Sequence, residues 1–261
     1  MATKVSDHVY CRIGKNGDSN NGVIICDTCS IVIDTATDPD QTTKDLGTLK
    51  KTTNKKIKYL INTHYHGDHT LGNMYFSDII AHKSCYTILK ERTPVYLEYI
   101  KEEMEPEKFK KFSIKLPTIT FTKELSLYQP PLIVVTHHGG HTVGSSTVYI
   151  PEDKVLFSGD LLFVGYHPYM GDANIPKWIS ALQELQTLDI TQIIPGHGEI
   201  CDKQELETHI KYLNTFHANL RNLKETHTKK ELIENPNLLE LPDLGDKERI
   251  ATNIEAQYEK V

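Results

Sequence analysis

The sequence predicts an α/β protein in which strands come first and strands and helices mix afterwards. Three observations carry this reading. Short β-type runs such as Val23-Ile24-Ile25, Ile31-Val32-Ile33 and Val155-Leu156-Phe157 recur between polar turns. Trp178, Leu182, Leu185 and Leu188 lie near helical spacing, as do Leu206, Ile210, Leu213 and Leu220. Groups able to do chemistry follow the β-type runs and sit beside glycine, as expected of loops at strand ends.

In chain order, residues 8–13, 22–26 and 29–34 read as short strands. Asp34 to Asp40 is a loop with an N-cap signal, and a helix is expected over 40–53. Ile57 to Asn62 reads as a buried strand, 70–76 as the start of a helix, and Ile79 to His82 as another strand. Residues 83–113 read as helical and rich in Lys, Glu and Tyr. Strands are expected near 118–122, 125–128, 132–136, 146–150 and 154–158, then a helix from Trp178 to Leu188 and a last core strand at Ile193-Ile194. A long helix over about 203–226 and a final one over 246–259 complete the order. The chain is expected to form one domain, residues 1–261, with a helical insertion at about 83–113 and a helical C-terminal extension at about 203–261.

Composition narrows the class. A chain of 261 residues can bury a substantial core, and its 38% hydrophobic content is that of an ordinary soluble globule. The net charge of −6 provides no basic field for nucleic acid or an anionic membrane, so neither partner is expected. The first residues lack an apolar signal stretch and no run is long enough to span a bilayer, which predicts a cytoplasmic protein. Five cysteines without a signal sequence imply reduced thiols. Cys26 and Cys29 read as apolar filler in a hairpin rather than as a metal or redox pair.

The most informative stretch is Asn62-Thr63-His64-Tyr65-His66-Gly67-Asp68-His69. Three imidazoles and a carboxylate lie within six residues, and packing gives no reason for them. They are the usual ligands of zinc and similar borderline ions. His64 and His66 are two apart, so an extended segment points both the same way. Adjacent Asp68 and His69 need a turn to point differently, and Gly67 is suited to supply it. His141, Asp160 and His197 follow, each beside glycine and bordering a β-type run.

This set resembles the metallo-β-lactamase superfamily: His-x-His-x-Asp-His in full at His64, His66, Asp68 and His69, then the Gly-His-Thr, Ser-Gly-Asp and Pro-Gly-His-Gly elements. The resemblance spans roughly Val23 to Glu199. It implies a four-layer αβ/βα sandwich of two mixed β-sheets with helices on the outer faces. It also implies that His64, His66 and His141 hold one metal, that Asp68, His69 and His197 hold a second, and that Asp160 bridges them. The cofactor expected is two divalent metal ions, zinc foremost, with iron or manganese as alternatives.

Such a pair, roughly 3.5–4 Å apart, shares a water and lowers its pKa to about 7, giving a metal-bound hydroxide as nucleophile. Asp68 is the expected catalytic residue, orienting that hydroxide or accepting its proton. No serine or cysteine triad competes; Ser145-Ser146 lacks the context of a hydrolase serine. The pocket is expected to draw on Tyr65, Phe163, Tyr166, His167 and Tyr169. The function expected is hydrolysis of a small ester, lactone or amide of the β-lactam kind.

The run around Asp160 is similar to the β-lactamase branch, whose best-known zinc enzymes carry Cys at the bridge; Asp160 is instead the choice of glyoxalase II and the lactonases. A phosphodiesterase of the same fold and a mononuclear iron persulfide dioxygenase are the alternatives. A non-catalytic metal-binding protein ranks last, because all seven ligand positions are filled.

Overall fold

The computed structural model describes residues 3–261. Chain order runs β1 (Thr3–Lys4), β2 (Val9–Arg12), β3 (Asn21–Ile25), β4 (Ser30–Ile33), α1 (Pro39–Thr52), β5 (Ile57–Ile61), α2 (Gly67–Thr70), β6 (Ile79–His82), α3 (Lys83–Glu103) and α4 (Pro106–Phe109). It continues with β7 (Ile119–Phe121), β8 (Glu124–Tyr128), β9 (Leu132–His137), β10 (Ser146–Ile150), β11 (Val155–Phe163), α5 (Ile175–Leu185), β12 (Gln192–His197), α6 (Gln204–Leu223), α7 (Lys229–Glu234) and α8 (Lys247–Gln257). Seven strands form one sheet in the order β1 to β7 and five form another in the order β12-β11-β10-β9-β8. Both sheets are mixed. Pairing is antiparallel from β1 to β4 and parallel from β4 to β7, while β12 runs parallel to β11 and the rest of the second sheet is antiparallel.

Three apolar clusters define the layers. Ile24, Ile31, Ile33 and Ile61 of the first sheet meet Ile133, Val148, Ile150 and Phe157 of the second, closing a sheet-on-sheet core. On the outer face of the first sheet, Val23, Val32, Leu60 and Ile79 receive Leu49 of α1. On the outer face of the second, Leu156, Leu161 and Ile193 pack under Trp178, Leu182 and Leu185 of α5, with Leu206, Leu213 and Phe216 of α6. The result is a helix–sheet–sheet–helix sandwich. Ile250 and Ile254 of α8 join the outer cluster, which ties the last helix to the same core. Among the described residues, no helix is long and apolar enough to cross a membrane.

Several boundaries move, for physical reasons. Trp178 lies in the first turn of α5 but does not start it: Asn174 caps the helix by accepting from Lys177 N, with Pro176 in the first turn. The 83–113 segment is not one continuous helix; α3 ends at Glu103, and Pro106 opens a separate single turn. The largest revision concerns β11. Its nine residues are all buried, and it runs through Asp160 to Phe163 rather than stopping before the carboxylate. Parallel β12 continues beside it, with register shifts at Gly159 and before Phe163. Asp160 is therefore aimed by irregularities inside a central strand, where position is stiffer than in a loop. The β3–β4 hairpin holds Cys26 and Cys29 in its apolar interior, and all five thiols are unpaired.

Trp178 is fully buried, and its indole Nε1 donates to Leu161 O at 3.0 Å. Trp178→Ala is expected to destabilise the protein by about 3–5 kcal/mol through lost burial and a cavity beneath the site. Equilibrium urea unfolding checks this; a loss under about 1 kcal/mol would show that α5 does not anchor the second sheet.

Candidate metal centre

Side chains from four chain segments converge: those following β5 and β9, the interior of β11 and the end of β12. His64, His66, His141 and Asp160 bring ligand atoms within 4.8 Å of one another, as do Asp68, His69, Asp160 and His197. Asp160 belongs to both groups, and its two oxygens divide between them. Oδ2 lies 3.6 Å from His64 Nε2 and 3.4 Å from His141 Nε2. Oδ1 lies 3.0 Å from His69 Nε2 and 3.4 Å from His197 Nε2. Asp68 Oδ2 completes the second group at 3.4 Å from His69 Nε2 and 3.2 Å from His197 Nε2.

Local backbone explains the convergence. His64 and His66 leave the end of β5 two residues apart and reach the same group, as extended alternation requires. The turn that follows is the single-turn helix α2, and Gly67 opens it as an ordinary helical residue, outside the positive-φ glycines. A methyl group on Gly67 would meet only Leu71, at ordinary contact distances of 3.4 to 3.9 Å. The helical turn, rather than glycine freedom, lets neighbouring Asp68 and His69 aim at one point. Gly196 is different. A Cβ there would collide with Asp160 Oδ1 and sit 2.8 Å from Asp160 N, so only glycine lets β12 pass the shared carboxylate.

Three of the converging atoms, His64 Nε2, His69 Nε2 and Asp160 Oδ1, are buried without a hydrogen-bond partner among the described residues. Buried polar atoms are normally satisfied, so this cluster of ligand-type atoms facing one another fits a cation. Imidazole nitrogen and carboxylate oxygen in this proportion suit divalent ions of the zinc type. Without an ion, the electrostatics divide the histidines. Burial drives the His64 pKa well below the usual histidine range and pushes His141 down to about 3, so both are neutral donors. Burial opposes charge on His197 as well, but Asp160 and Asp68 raise its pKa to about 10. Burial also opposes charge on Asp160, yet His69, His197 and His64 hold it well below the usual carboxylate range.

Outer partners fix the rings. Asp34 Oδ2 lies 2.9 Å from His69 Nδ1 and accepts from Thr63 Oγ1 at 2.7 Å. Thr63 Oγ1 is in turn 3.1 Å from His64 Nδ1, so Asp34 steadies one histidine of each group. It sits at φ 55, a conformation that Asp and Asn tolerate better than most residues. Asp172 Oδ2 lies 2.9 Å from His66 Nε2, and Arg92 grips Asp172 with both terminal nitrogens, at 2.8 and 2.6 Å. His197 Nδ1 donates to Gly17 O at 2.9 Å. Among the described residues His141 has no such partner on Nδ1, and its ring packs against Trp178 and Phe163. Asp34 follows an apolar strand just as the converging residues do, a signal that was present in the sequence. Arg92 and Asp172 carried none, because their meeting spans 80 residues.

Above the cluster lies an open cavity of about 660 Å³. Phe163, Tyr166, His167 and Tyr169 line it with His66, Asp68, Asp160 and His197. Tyr65 does not. Alternation points it away from His64 and His66, into a buried cluster with Cys85 and Leu89, where Arg92 lies over its ring at 5.0 Å. His167 is 5% exposed, and its Nδ1 is 2.7 Å from Tyr212 Oη of α6, so it is a braced imidazole and not a surface histidine. The helical insertion reaches the cavity through Arg92 and Tyr96.

Fold and site together define an α/β sandwich with a candidate metal centre, and the comparisons identify its family. Residues 14–197 match the family described as the metallo-beta-lactamase superfamily, and the chain belongs to it. Its members are mostly hydrolases. Similar proteins include a beta-lactamase-like protein 2 homolog of Caenorhabditis elegans, 27% identical over 77% of this chain. That match covers 64% of the worm protein, so the chain spans less than two thirds of its length. A metallo-beta-lactamase type 2 of Bacteroides fragilis is 23% identical over 82% of this chain and 85% of its own. A probable metallo-hydrolase of Methanocaldococcus jannaschii is 28% identical over 74% and 94% respectively. Among solved structures, DIM-1 metallo-beta-lactamase superposes with a TM-score of 0.66 at 23% identity, covering 82% of this chain and 97% of that one. The metallo-beta-lactamase of Pontibacter korlensis gives a TM-score of 0.67 at 22% identity, covering 82% and 98%. At such identities these structures speak to the fold alone.

Two substitutions test this geometry. Asp34→Asn keeps size and backbone tolerance but removes the charge behind His69 and Thr63; divalent-metal affinity by chelator competition is expected to fall about 10–100-fold. Gly196→Ala is expected to lower metal content at unchanged secondary structure, or to cost folding outright, since its Cβ meets Asp160 and backbone. Full metal loading with an unaltered melting temperature would contradict the reading of Gly196.

Proposed function

We propose that this chain is a dinuclear metal-dependent hydrolase of a small ester, lactone or amide of the β-lactam kind. The observation that carries the reading is the division of the Asp160 oxygens between two histidine groups, a geometry suited to bridging two ions. His64, His66 and His141 would hold one ion, Asp68, His69 and His197 the other, with Asp160 common to both. Two divalent ions at such a site, zinc foremost, supply Lewis acidity toward a carbonyl or phosphoryl oxygen and acidify a shared water.

The remaining roles belong to the chain's own groups. Asp68 lines the cavity and has a 29% exposed side chain, so it faces the reacting region while Oδ2 faces His69 and His197. Burial opposes its charge, but His69 and His197 keep it well below the usual carboxylate range, so it stays ionised. Its second oxygen is the atom that would orient the attacking water or take its proton. Phe163, Tyr166 and Tyr169 exclude water around the substrate, and His167, braced by Tyr212, offers Nε2 to a polar group of it. The cavity volume suits a small molecule rather than a polymer, and the chain's net charge of −6 does not favour nucleic acid. We read the whole chain as one domain, because α6 and α8 share a continuous apolar cluster with β11 and α5.

Asp160→Ala is expected to lose about one metal per chain and at least ~10²-fold in hydrolytic rate, with the fold retained. Elemental analysis and a panel of lactone, thioester, β-lactam and phosphodiester substrates check both. Wild-type turnover at full occupancy would end the bridging role. Oxygen consumption with a persulfide by iron-loaded protein, alongside no cleavage by the zinc-loaded form, would replace the hydrolase reading.

A further inference from the structure

Residues 13–20, between β2 and β3, form a strap against the end of β12. Asn20 is 3% exposed, and its side-chain donors and acceptor are all committed. Its Nδ2 donates to Pro195 O and to Gly198 O, each at 2.8 Å, and its backbone N donates to Gly196 O at 2.7 Å. Its Oδ1 accepts from Gly14 N at 2.8 Å, which closes the strap on itself. One asparagine thus holds three carbonyls of the short segment that carries His197. Ser19 pairs with His197 as an antiparallel bridge, and its hydroxyl donates to Asp68 O. Gly17 O accepts from His197 Nδ1. Arg12 anchors the strap, donating to Asp18 at 3.1 Å and to Ser19 O at 2.9 Å.

These contacts fall on one side of the centre. The strap reaches His197 and Asp68, both of the second histidine group. Among the described residues it makes no hydrogen bond to His64, His66 or His141, whose supports are Thr63, Asp172 and the packing around Trp178. Gly196 carries the same bias. Asn20 holds its carbonyl, and a Cβ on it would meet Asp160 Oδ1, the oxygen that faces His69 and His197. A shift of residues 195–198 therefore displaces His197 and crowds Oδ1, while Oδ2 faces the first group. The amide suits its position chemically. Asparagine offers two N–H donors and an acceptor on a short stem, and two carbonyls and one backbone N–H face it here. Alanine would leave both carbonyls without that partner in a buried setting, which is costly.

We infer that Asn20 is a positioning residue for the second histidine group. It fixes the end of β12 so that His197 Nε2 and Asp160 Oδ1 point together, and it sets the affinity for that group's ion separately from the ion of the first group. This rests on the two-ion reading of the centre and not on the identity of the substrate. Outer partners of ligand histidines govern ring orientation and metal affinity. The partner of His197 is a peptide carbonyl, Gly17 O, so the residue that holds its loop does the orienting. Asn16 and Gly17 also line the cavity, and the Tyr166 hydroxyl accepts from Gly17 N. The cavity wall and the second group therefore share one support.

The test uses full-length protein stripped of metal and titrated with zinc against a chromophoric chelator, which resolves two binding steps. Asn20→Ala is expected to weaken one step by about 10–100-fold and to leave the other unchanged. Ser19→Ala, which loses only the hydroxyl contact with Asp68, is expected to weaken the same step to a smaller degree. In zinc-saturated protein with isotope-labelled histidine, the His197 Nδ1–H resonance is expected to move in Asn20→Ala; its loss in His197→Gln identifies it. A purely structural asparagine would lower the melting temperature and weaken both steps alike. Equal weakening of both steps, two unchanged steps in Asn20→Ala, or an unmoved His197 resonance would overturn the proposal. Should Asn20→Ala fail to fold, Asn20→Ser, which keeps one short donor, decides in its place. A wild-type protein that takes up a single ion at saturation would overturn the two-ion reading and the proposal with it. Two ions in the wild type with equal weakening in the variant would overturn the proposal alone.

Discussion

Two histidine groups and a second carboxylate, Asp68, crowd around Asp160, and much of the surrounding structure follows from holding the Asp160 carboxylate in place. It must be buried, because it faces four imidazoles; it must also be aimed, because its two oxygens serve different groups. Placing it within β11, flanked by β10 and β12, meets both demands. The register shifts around Gly159 turn the side chain out of the regular pleat, and Gly196 leaves the adjacent strand thin enough to pass it. An isolated buried charge of this kind would be very costly, so the fold depends on the imidazoles that surround it and on any cation the site would hold.

Support for the ligand-type side chains comes from both sheets and from outside them. Asp34 stands at the end of a strand in the first sheet and reaches His69 directly and His64 through Thr63. Asp172 comes from the loop after β11 and is held by Arg92 of α3. Gly17 contributes a backbone carbonyl to His197, and the Tyr166 hydroxyl accepts from the Gly17 amide at 3.2 Å. Each arrangement joins distant segments, so a disturbance in the insertion or in the loop before β3 reaches the histidines through one or two contacts. His141 is the exception, positioned by aromatic packing and by its contact with His66 Nδ1 at 3.1 Å, and the rigidity of α5 matters most to it.

The cavity combines a polar floor, aromatic sides and charged rims drawn from regions far apart in sequence. Tyr96 arrives from α3, and Leu244, Asp246 and Arg249 arrive from the approach to α8 and its first turn. Both lie outside the strand-end motifs, and these are the regions in which substrate choice can change while the metal-type geometry stays constant.

The sequence by itself determined the α/β class, most strands and the seven side chains that converge, because these are local signals. Apolar alternation marks strands, and His, Asp and Gly clusters at strand ends have no packing explanation. It could not place Tyr65, whose adjacency to two converging histidines suggested the pocket while strand alternation sent it to the opposite side. Nor could it show that β11 continues through Asp160, since that depends on β12 running parallel beside it. Arg92 with Asp172, and Arg249 over Tyr169, were invisible for a related reason. Their contacts join residues 80 positions apart in each case, and only the packing of α3 and α8 onto the sandwich brings charges of ordinary surface character to the edge of one cavity.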